Sequence, residues 1–407
     1  MKKDLLLLSG ISAASLIPSM AQTPEGEAFC LKNSHKPNVI VILADDLGYG
    51  DLQCYGARNV LTPNIDRLAE SGIRFTNAHA VASTSTPSRY SLLTGMYSWR
   101  RNDTDVARGD AAMIIRPEQY SLADMFKNAG YATCAIGKWH LGLGDVTGRQ
   151  DWNAPLPSAL GDIGFDYSYI MAATADRVPC VFMENGKVAN YDPSAPIYVS
   201  YEKNFEGEPT GRDNPELLYN LRHSHGHDMS IVNGIGRIGF MKGGGKALWK
   251  DENIADSITV HAADFIKAHK NKPFFMYFAT NDVHVPRFPH ERFRGQSGMG
   301  LRGDAAMIIR PEQYSLADMF KNAGYATCAI GKWHLGLGDV TGRQDWKYIE
   351  PSDGKPMIDW GPKIETGYLS TPQLFDMRKN TGERNNVASK HTDVLFELQN
   401  ILRKERK

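Results

Sequence analysis

The chain has 407 residues, with 46 Lys plus Arg against 46 Asp plus Glu and a formal net charge of zero. That balance offers no field for nucleic acid or an acidic membrane surface, so any ligand must be recognised locally. Hydrophobic residues at 42% and charged residues at 23% describe a soluble globular chain, with room for one large domain and a small one or for two ordinary domains.

In chain order, Lys2 and Lys3 precede an apolar run from Leu5 to Leu8 that continues weakly to Ile17, and Ser19-Met20-Ala21 presents small residues where a signal peptidase reads. The run is too short to span a membrane and stay there. Residues 1–21 therefore read as a cleaved export signal, and the mature chain is expected to begin near Gln22. Residues 39–44 are apolar without alternation, as in a strand buried on both faces. Thr62 caps a helix with Pro63 at its first position, Ile65, Leu68 and Ala69 on one face and Gly72 at its end. Residues 73–80 are the next strand candidate. Ser85-Thr86-Pro87-Ser88-Arg89 then opens a helical segment, which places Ser85 where a helix N-terminus stabilises an anion. A plain serine is a weak nucleophile without a base beside it, and no His or Lys adjoins this one in the sequence.

Ser121 caps a helix through Asn128 that Gly130 stops, and residues 131–136 form a strand. From about Asp151 to Gly245 the chain is rich in Gly, Pro and polar residues, which predicts long loops over one edge of the domain, suited to substrate contacts. Within them, residues 234–239 match G-x-G-x-x-G, but no strand-to-helix context follows and the match reads as loop. His223, His225 and His227 alternate and would share one face of an extended chain; zinc binding is one use open to them, and contact with substrate or solvent is the expected one. Ile254, Ile258, Ala262, Phe265 and Ile266 mark one face of a helix, and residues 274–279 form another buried strand. Strands alternating with helices predict an α/β fold with a largely parallel sheet covered on both sides.

Residues 108–152 and 302–346 are identical, 45 residues each at an offset of 194. A structural repeat array would recur more often and drift, so the second block reads as an intrusive copy. The five cysteines, Cys30, Cys54, Cys134, Cys180 and Cys328, show no disulfide framework and no Cys-x-x-Cys pair.

Three charged clusters each follow directly on an apolar run: Asp45-Asp46, the segment Gly137-Lys138-Trp139-His140, and Asn281-Asp282-Val283-His284-Val285-Pro286. In open α/β sheets ligands bind beyond the carboxyl ends of strands, so the three are expected to converge, with Ser85 arriving from a neighbouring turn. Adjacent carboxylates call for a hard divalent cation, Ca²⁺ or Mg²⁺. Arg89, Lys138, His140 and His284 supply positive charge or donors for a tetrahedral oxyanion, and His284 could protonate a leaving alcohol.

The run Ser85-x-Pro87-Ser88-Arg89-x-x-Leu92-Leu93-Thr94-Gly95 resembles the signature of the type I sulfatases. Residues 43–48 are similar to that family's first metal motif, residues 137–142 to its Gly-Lys-Trp-His motif, and His284-Val285-Pro286 to its His-x-Pro. Near the C-terminus, residues 373–376 with Gly382, Glu383 and Asn386 resemble the end of its small subdomain. The resemblance implies an alkaline-phosphatase-like α/β fold with a small C-terminal α+β subdomain. It implies a formylglycine made from Ser85, whose hydrated aldehyde attacks the sulfur of a sulfate ester, and a calcium ion, more than magnesium, on Asp45, Asp46 and the side chain at 85. Arg89 and Lys138 would steady the hydrate, His140 would hydrogen-bond it, and Lys138 and His284 would hold the sulfate. A serine at this place implies maturation by an anaerobic-type sulfatase-maturing enzyme, hence an anaerobic bacterium and a periplasmic or secreted protein acting on sulfated carbohydrate.

The chain departs from the pattern in one respect. The family's Asp-Asn-Gly after a further apolar strand is absent; Ser352-Asp353-Gly354 is the nearest echo, and residues 347–351 before it do not read as a buried strand. The expected organisation is a signal at 1–21, a catalytic domain at 36–301, an intrusive copy at 302–346 and a subdomain remnant at 347–407. Three functions stay open: a secreted sulfatase, a phosphoester hydrolase of the related alkaline-phosphatase group, and a catalytically dead protein that binds sulfated sugar. No nucleic acid partner and no membrane span are expected.

Overall fold

The computed structural model describes residues 36–58, 60–76, 78–224, 226–293, 346–351, 369–376 and 385–405. Its centre is a six-stranded sheet in the order β1-β10-β2-β3-β4-β5. Strands β1 (Val39–Leu43), β10 (Phe274–Ala279), β2 (Ala132–Lys138) and β3 (Tyr167–Met171) run parallel, while β4 (Phe182–Glu184) and β5 (Lys187–Val188) add an antiparallel edge. Parallel strands need helical crossovers, and these supply the two layers that cover the sheet.

Alternation along β10 shows the layering. Phe275 stacks on Phe126 of α3 (Leu122–Asn128) with ring centroids 4.2 Å apart, and its neighbour Phe274 meets Phe265 of α4 (Ile254–Ala268) at 6.0 Å. Successive side chains of a strand point to opposite faces, so the two helices lie on opposite sides. Ile254, Ile258, Ala262 and Phe265 of α4 are buried, and Ile266 is left at the surface. Ser121 caps α3 by accepting from the Asp124 N–H at 3.0 Å, and the Asp124 carboxylate accepts from the Ser121 N–H at 2.9 Å. Two further helices lie before α3, α1 (Pro63–Ser71) and α2 (Ser85–Thr94).

Several expectations are corrected. Residues 39–43 are a strand, but not one buried on both faces: Ile40 and Ile42 are exposed, because among the described residues β1 pairs only with β10. On α1, Ile65 and Leu68 are exposed as well. No strand forms over the described residues of 73–80, where Ile73 and Phe75 face solvent. The segment 151–245 is not simply loop. It contributes β3 to the middle of the sheet, the β4–β5 edge, and two small antiparallel pairs, β6 (Tyr198–Ser200) with β9 (Phe240–Lys242) and β7 (Ile231–Val232) with β8 (Ile235–Gly236). The G-x-G-x-x-G match thus lies on a hairpin, and its Arg237 is buried against Asp251 at 2.6 and 2.9 Å.

Trp346–Ile349 is a buried strand, β11, contrary to the reading of residues 347–351. It pairs antiparallel with β12 (Gln373–Asp376), and Trp346, Tyr348 and Leu374 pack with Val394 and Leu398 of α5 (Thr392–Glu405). Lys347, whose sequence neighbours are aromatic and apolar, is buried with the rest of β11. Cys54, Cys134 and Cys180 are free thiols. Residues 1–21 and nearly all of 302–346 lie outside the described residues, and among those described no helix is long and apolar enough to cross a membrane.

Candidate active site at the carboxyl ends of the parallel strands

Asp45 follows β1, Lys138 ends β2, and residues 280–286 follow β10, so the parallel sheet brings all three to one edge. Backbone hydrogen bonds lock the loops together: the Asp45 N–H donates to the Asp282 carbonyl at 2.9 Å, and the Val283 N–H returns to the Asp45 carbonyl at 2.7 Å. Gly137 is required for this approach, since a Cβ there would stand 2.0 Å from the Ala279 carbonyl oxygen and its φ is +98°. Asp46 and His140 both hold a left-handed backbone at φ +59° without being glycine, strain that the surrounding structure must impose.

Ser85 is the first residue of α2, where unpaired backbone N–H groups carry partial positive charge. Its Oγ accepts from Arg89 Nε at 2.8 Å, one helical turn along, and lies 3.0 Å from His140 Nδ1. The other ring nitrogen, Nε2, lies 2.8 Å from the Ala107 carbonyl, which can only accept. Nε2 therefore bears the proton. Burial first, then the Lys138 and Arg177 charges, holds the His140 pKa well below its ordinary 6.5, so the ring is neutral and Nδ1 accepts from the Ser85 hydroxyl. Ser85 thus has a base beside it after all; it comes from a strand end far along the chain, where adjacency in sequence could not show it. Thr86 ties the same loops, donating to the His140 carbonyl at 2.9 Å and accepting from the Ala107 N–H at 3.0 Å.

Arg89, 1% exposed, bridges the site: Nη1 donates to the Lys138 carbonyl at 2.9 Å and to the Tyr277 hydroxyl at 3.0 Å, and Nη2 reaches Asp45 Oδ1 at 3.4 Å. Lys138 Nζ pairs with Asp45 Oδ2. Burial pushes the Lys138 amine down to about 8, with Asp45 opposing the shift. Burial pulls the Asp45 carboxyl upward, but the charges of Lys138, Arg89 and His284 outweigh it and leave the pKa below 3.8. His284 donates from Nδ1 to the Val285 carbonyl at 2.7 Å, which leaves Nε2 facing Asp46 Oδ2 at 3.7 Å.

Asp45, Asp46, Ser85, Arg89, Lys138, His140 and His284 are thereby brought to one place through the first copy of the duplicated block. Lys332 and His334 of the second copy, and Asp353, lie outside the described residues. The donors fit calcium poorly. Both Asp45 oxygens are engaged by cationic side chains, Asp46 is half exposed, and among the described residues no group of three or more His, Cys, Asp or Glu side chains could hold a metal. Two carboxylates and one hydroxyl fall short of the six to eight oxygens calcium takes.

Sequence reasoning missed Thr174, Asp176 and Arg177, and singled out His227 without its carboxylate partner. Thr174 Oγ1 donates to Asn281 Oδ1 at 3.1 Å, and Asp176 binds Arg177 and His227. Residues 172–177 follow directly on the end of β3, as the other three clusters follow their strands, but β3 itself gave no strand signal in the sequence that would have marked them.

A family model described as Sulfatase matches residues 37–300. N-acetylgalactosamine-6-O-sulfatase of Bacteroides thetaiotaomicron is 40% identical in an alignment 504 positions long, gaps included, that covers 97% of this chain and 97% of that protein. Bovine arylsulfatase A is 30% identical, covering 67% of this chain and 46% of its own length, so the chain spans about half of that relative. A solved structure from work on the metabolism of multiple glycosaminoglycans by Bacteroides thetaiotaomicron superposes with a TM-score of 0.81 at 39% identity, covering 92% of this chain and 100% of that one. A Pseudoalteromonas sulfatase, 17% identical with a TM-score of 0.54 over 90% of this chain and 89% of its own, shares the fold.

Proposed function

The chain belongs to the sulfatase family, and from that premise we propose that it cleaves a sulfate ester on a sulfated carbohydrate with the residue at position 85, converted from serine to formylglycine. The observation that carries this reading is the grip on Ser85 Oγ by Arg89 Nε at 2.8 Å and His140 Nδ1 at 3.0 Å at the start of α2. Formylglycine, once hydrated, supplies a geminal hydroxyl able to attack sulfur. Arg89 orients the oxygen at 85 by donating to it. His140, neutral and with Nε2–H tied to Ala107, offers Nδ1 as the acceptor for its proton. Arg89 and Lys138 place positive charge where the sulfate oxygens gain negative charge. Nε2 of His284, the nitrogen not spent on Val285, is the one suited to protonate the leaving sugar oxygen.

The substrate class follows from the N-acetylgalactosamine-6-O-sulfatase similarity. Calcium is assigned no step; Asp45, Asp46 and the side chain at 85 are its donors in this reading, and they hold it weakly. The shortage of metal donors favours a second reading, a protein that binds sulfated sugar and turns it over slowly or not at all. In the same reading residues 1–21 export the protein to the periplasm or beyond, residues 36–301 are the catalytic domain, residues 302–346 are an intrusive copy and residues 347–407 a reduced subdomain.

The test is co-expression with an anaerobic-type sulfatase-maturing enzyme, followed by peptide mapping. The peptide containing Ser85 is expected to lose about two hydrogens in mass, as an alcohol does on becoming an aldehyde. Finding only unmodified serine in folded protein would remove the mechanism.

A further inference from the structure

The loop after β3 contains a buried ion pair with no part in the chemistry above. Asp176 is 2% exposed; Arg177 Nη1 donates to both of its oxygens at 3.0 Å, and His227 Nε2 lies 3.0 Å from Oδ2 while its Nδ1 lies 3.3 Å from Ser224 Oγ, so both ring nitrogens are engaged. The loop is built into the wall of the site. The His140 N–H donates to the Ala172 carbonyl at 3.2 Å, and Thr174 Oγ1 lies 3.4 Å from His284 Nδ1. Arg177 is close enough for its charge to help hold the His140 pKa down, after burial and Lys138.

Among the described residues the Arg177 guanidinium bonds only through Nη1, to Asp176. Nε and Nη2 remain as oriented donors on a side chain 17% exposed. Arg177 is thus aimed by a buried carboxylate rather than consumed by it. The Asp176–Arg177 pair is electrically neutral, so a second sulfate or a carboxylate gains little there, whereas a hydroxyl oxygen gains hydrogen bonds.

We infer that Arg177, held in place by the Asp176 carboxylate that His227 also grips, is a specificity-determining residue that binds ring hydroxyls of the sugar bearing the sulfate ester. The inference rests on the sulfated-sugar reading. It separates the site into a sulfate half, built from Arg89, Lys138 and His284, and a sugar half on the β3 loop.

The test uses the full chain with Ser85→Ala, which binds without turnover. Calorimetric titrations compare N-acetylgalactosamine 6-sulfate with inorganic sulfate. The parent is expected to prefer the sugar sulfate by about tenfold or more, and Arg177→Gln and Arg177→Lys are each expected to cut that ratio by about tenfold. Thermal unfolding checks each variant; if Arg177→Gln fails to fold, Arg177→Lys, which keeps the charge beside Asp176 but not the oriented Nε and Nη2 donors, decides alone. A ratio that stays constant in folded variants, whether both affinities hold or both fall together, overturns the inference, since a mere structural brace predicts that. A parent that binds neither ligand overturns the sulfate site itself and the sugar half with it.

Discussion

Ser85, Arg89, Lys138 and His140 were recognisable in their motifs and were expected to converge at the strand ends, but which atom meets which was not legible. His140 and Ser85 stand 55 positions apart and meet only because β2 and the start of α2 end at the same edge of the sheet. Thr86 was invisible as a functional residue, since a threonine in the first turn of a helix is ordinary. Its hydroxyl nevertheless satisfies the buried Ala107 N–H and His140 carbonyl at once. Thr86→Val keeps the shape and leaves both groups unpaired, so it should cost about 2–6 kcal/mol, at about 1–3 for each orphaned group, and lower the denaturant midpoint without changing its slope. Asp45 supports a second expectation. With its oxygens on Arg89 and Lys138 it has little charge to spare, so calcium should bind with a dissociation constant on the order of 10⁻³ M or weaker. Tight stoichiometric binding by calorimetry would mean that another residue completes the shell. Asp176 gives a pH dependence. Burial raises its pKa, but the His227 hydrogen bond and the charges of Arg177 and His284 hold it far below the ordinary 3.8. The unfolded chain therefore takes up this proton first. The stabilisation is fully present above about pH 5 and is lost as pH falls toward the folded value. Asp176→Asn should be less stable than the parent at pH 7, and the gap should narrow by pH 3; denaturant titrations showing a constant gap would count against this.

Among the elements, those with a complete local signal were legible. Residues 274–279 form the expected strand end to end, and α3 begins and stops where Ser121 and Gly130 indicate. β3 was not legible, because Tyr-Ser-Tyr-Ile-Met is short, carries a serine and sits among Gly- and Pro-rich segments; only its pairing with β2 makes it a strand. β1 failed in the opposite direction. Val-Ile-Val-Ile-Leu reads as a strand with both faces covered, yet Ile42 is 61% exposed and Leu68 on the nearby stretch of chain 62%. A parallel strand of that composition belongs inside a sheet, and the sequence lacks the Asp-Asn-Gly that in the family follows a further apolar strand. An edge so apolar has little to hold it. Amides of β1 should exchange with solvent at least about tenfold faster than those of β2, which lies between β10 and β3. Mass-resolved hydrogen exchange on peptides covering residues 38–44 and 132–138 measures the difference, and equal protection would show that β1 is covered in solution.

At the scale of the whole molecule, the identity of residues 108–152 and 302–346 poses a problem of occupancy that packing answers for the first copy. Ala123 and Phe126 of α3 pack in the core, Cys134, Ala135 and Ile136 are fully buried in β2, and Trp139 is 0% exposed with its indole N–H on the Gly142 carbonyl at 2.8 Å. Lys138 and His140 then reach Asp45 and Ser85 because β2 lies beside β10. Among the described residues these contacts in the central sheet are made by the first copy, with neighbours that fit it closely. Trp346, though the last residue of the second copy, belongs by packing to the small β11–β12–α5 cluster rather than to a second sheet strand. Removing residues 302–345 while keeping Trp346 should therefore leave near-UV circular dichroism and inorganic sulfate binding within about twofold of the full chain and should not lower its melting temperature. Removing residues 108–152 instead takes away β2 and leaves β10 without its inner partner, and should abolish cooperative unfolding. The two deletions discard the same 44 residues of sequence, apart from one tryptophan, so composition cannot account for opposite outcomes. A loss of sulfate binding on removal of residues 302–345 would place the working lysine and histidine at Lys332 and His334 and reverse the assignment.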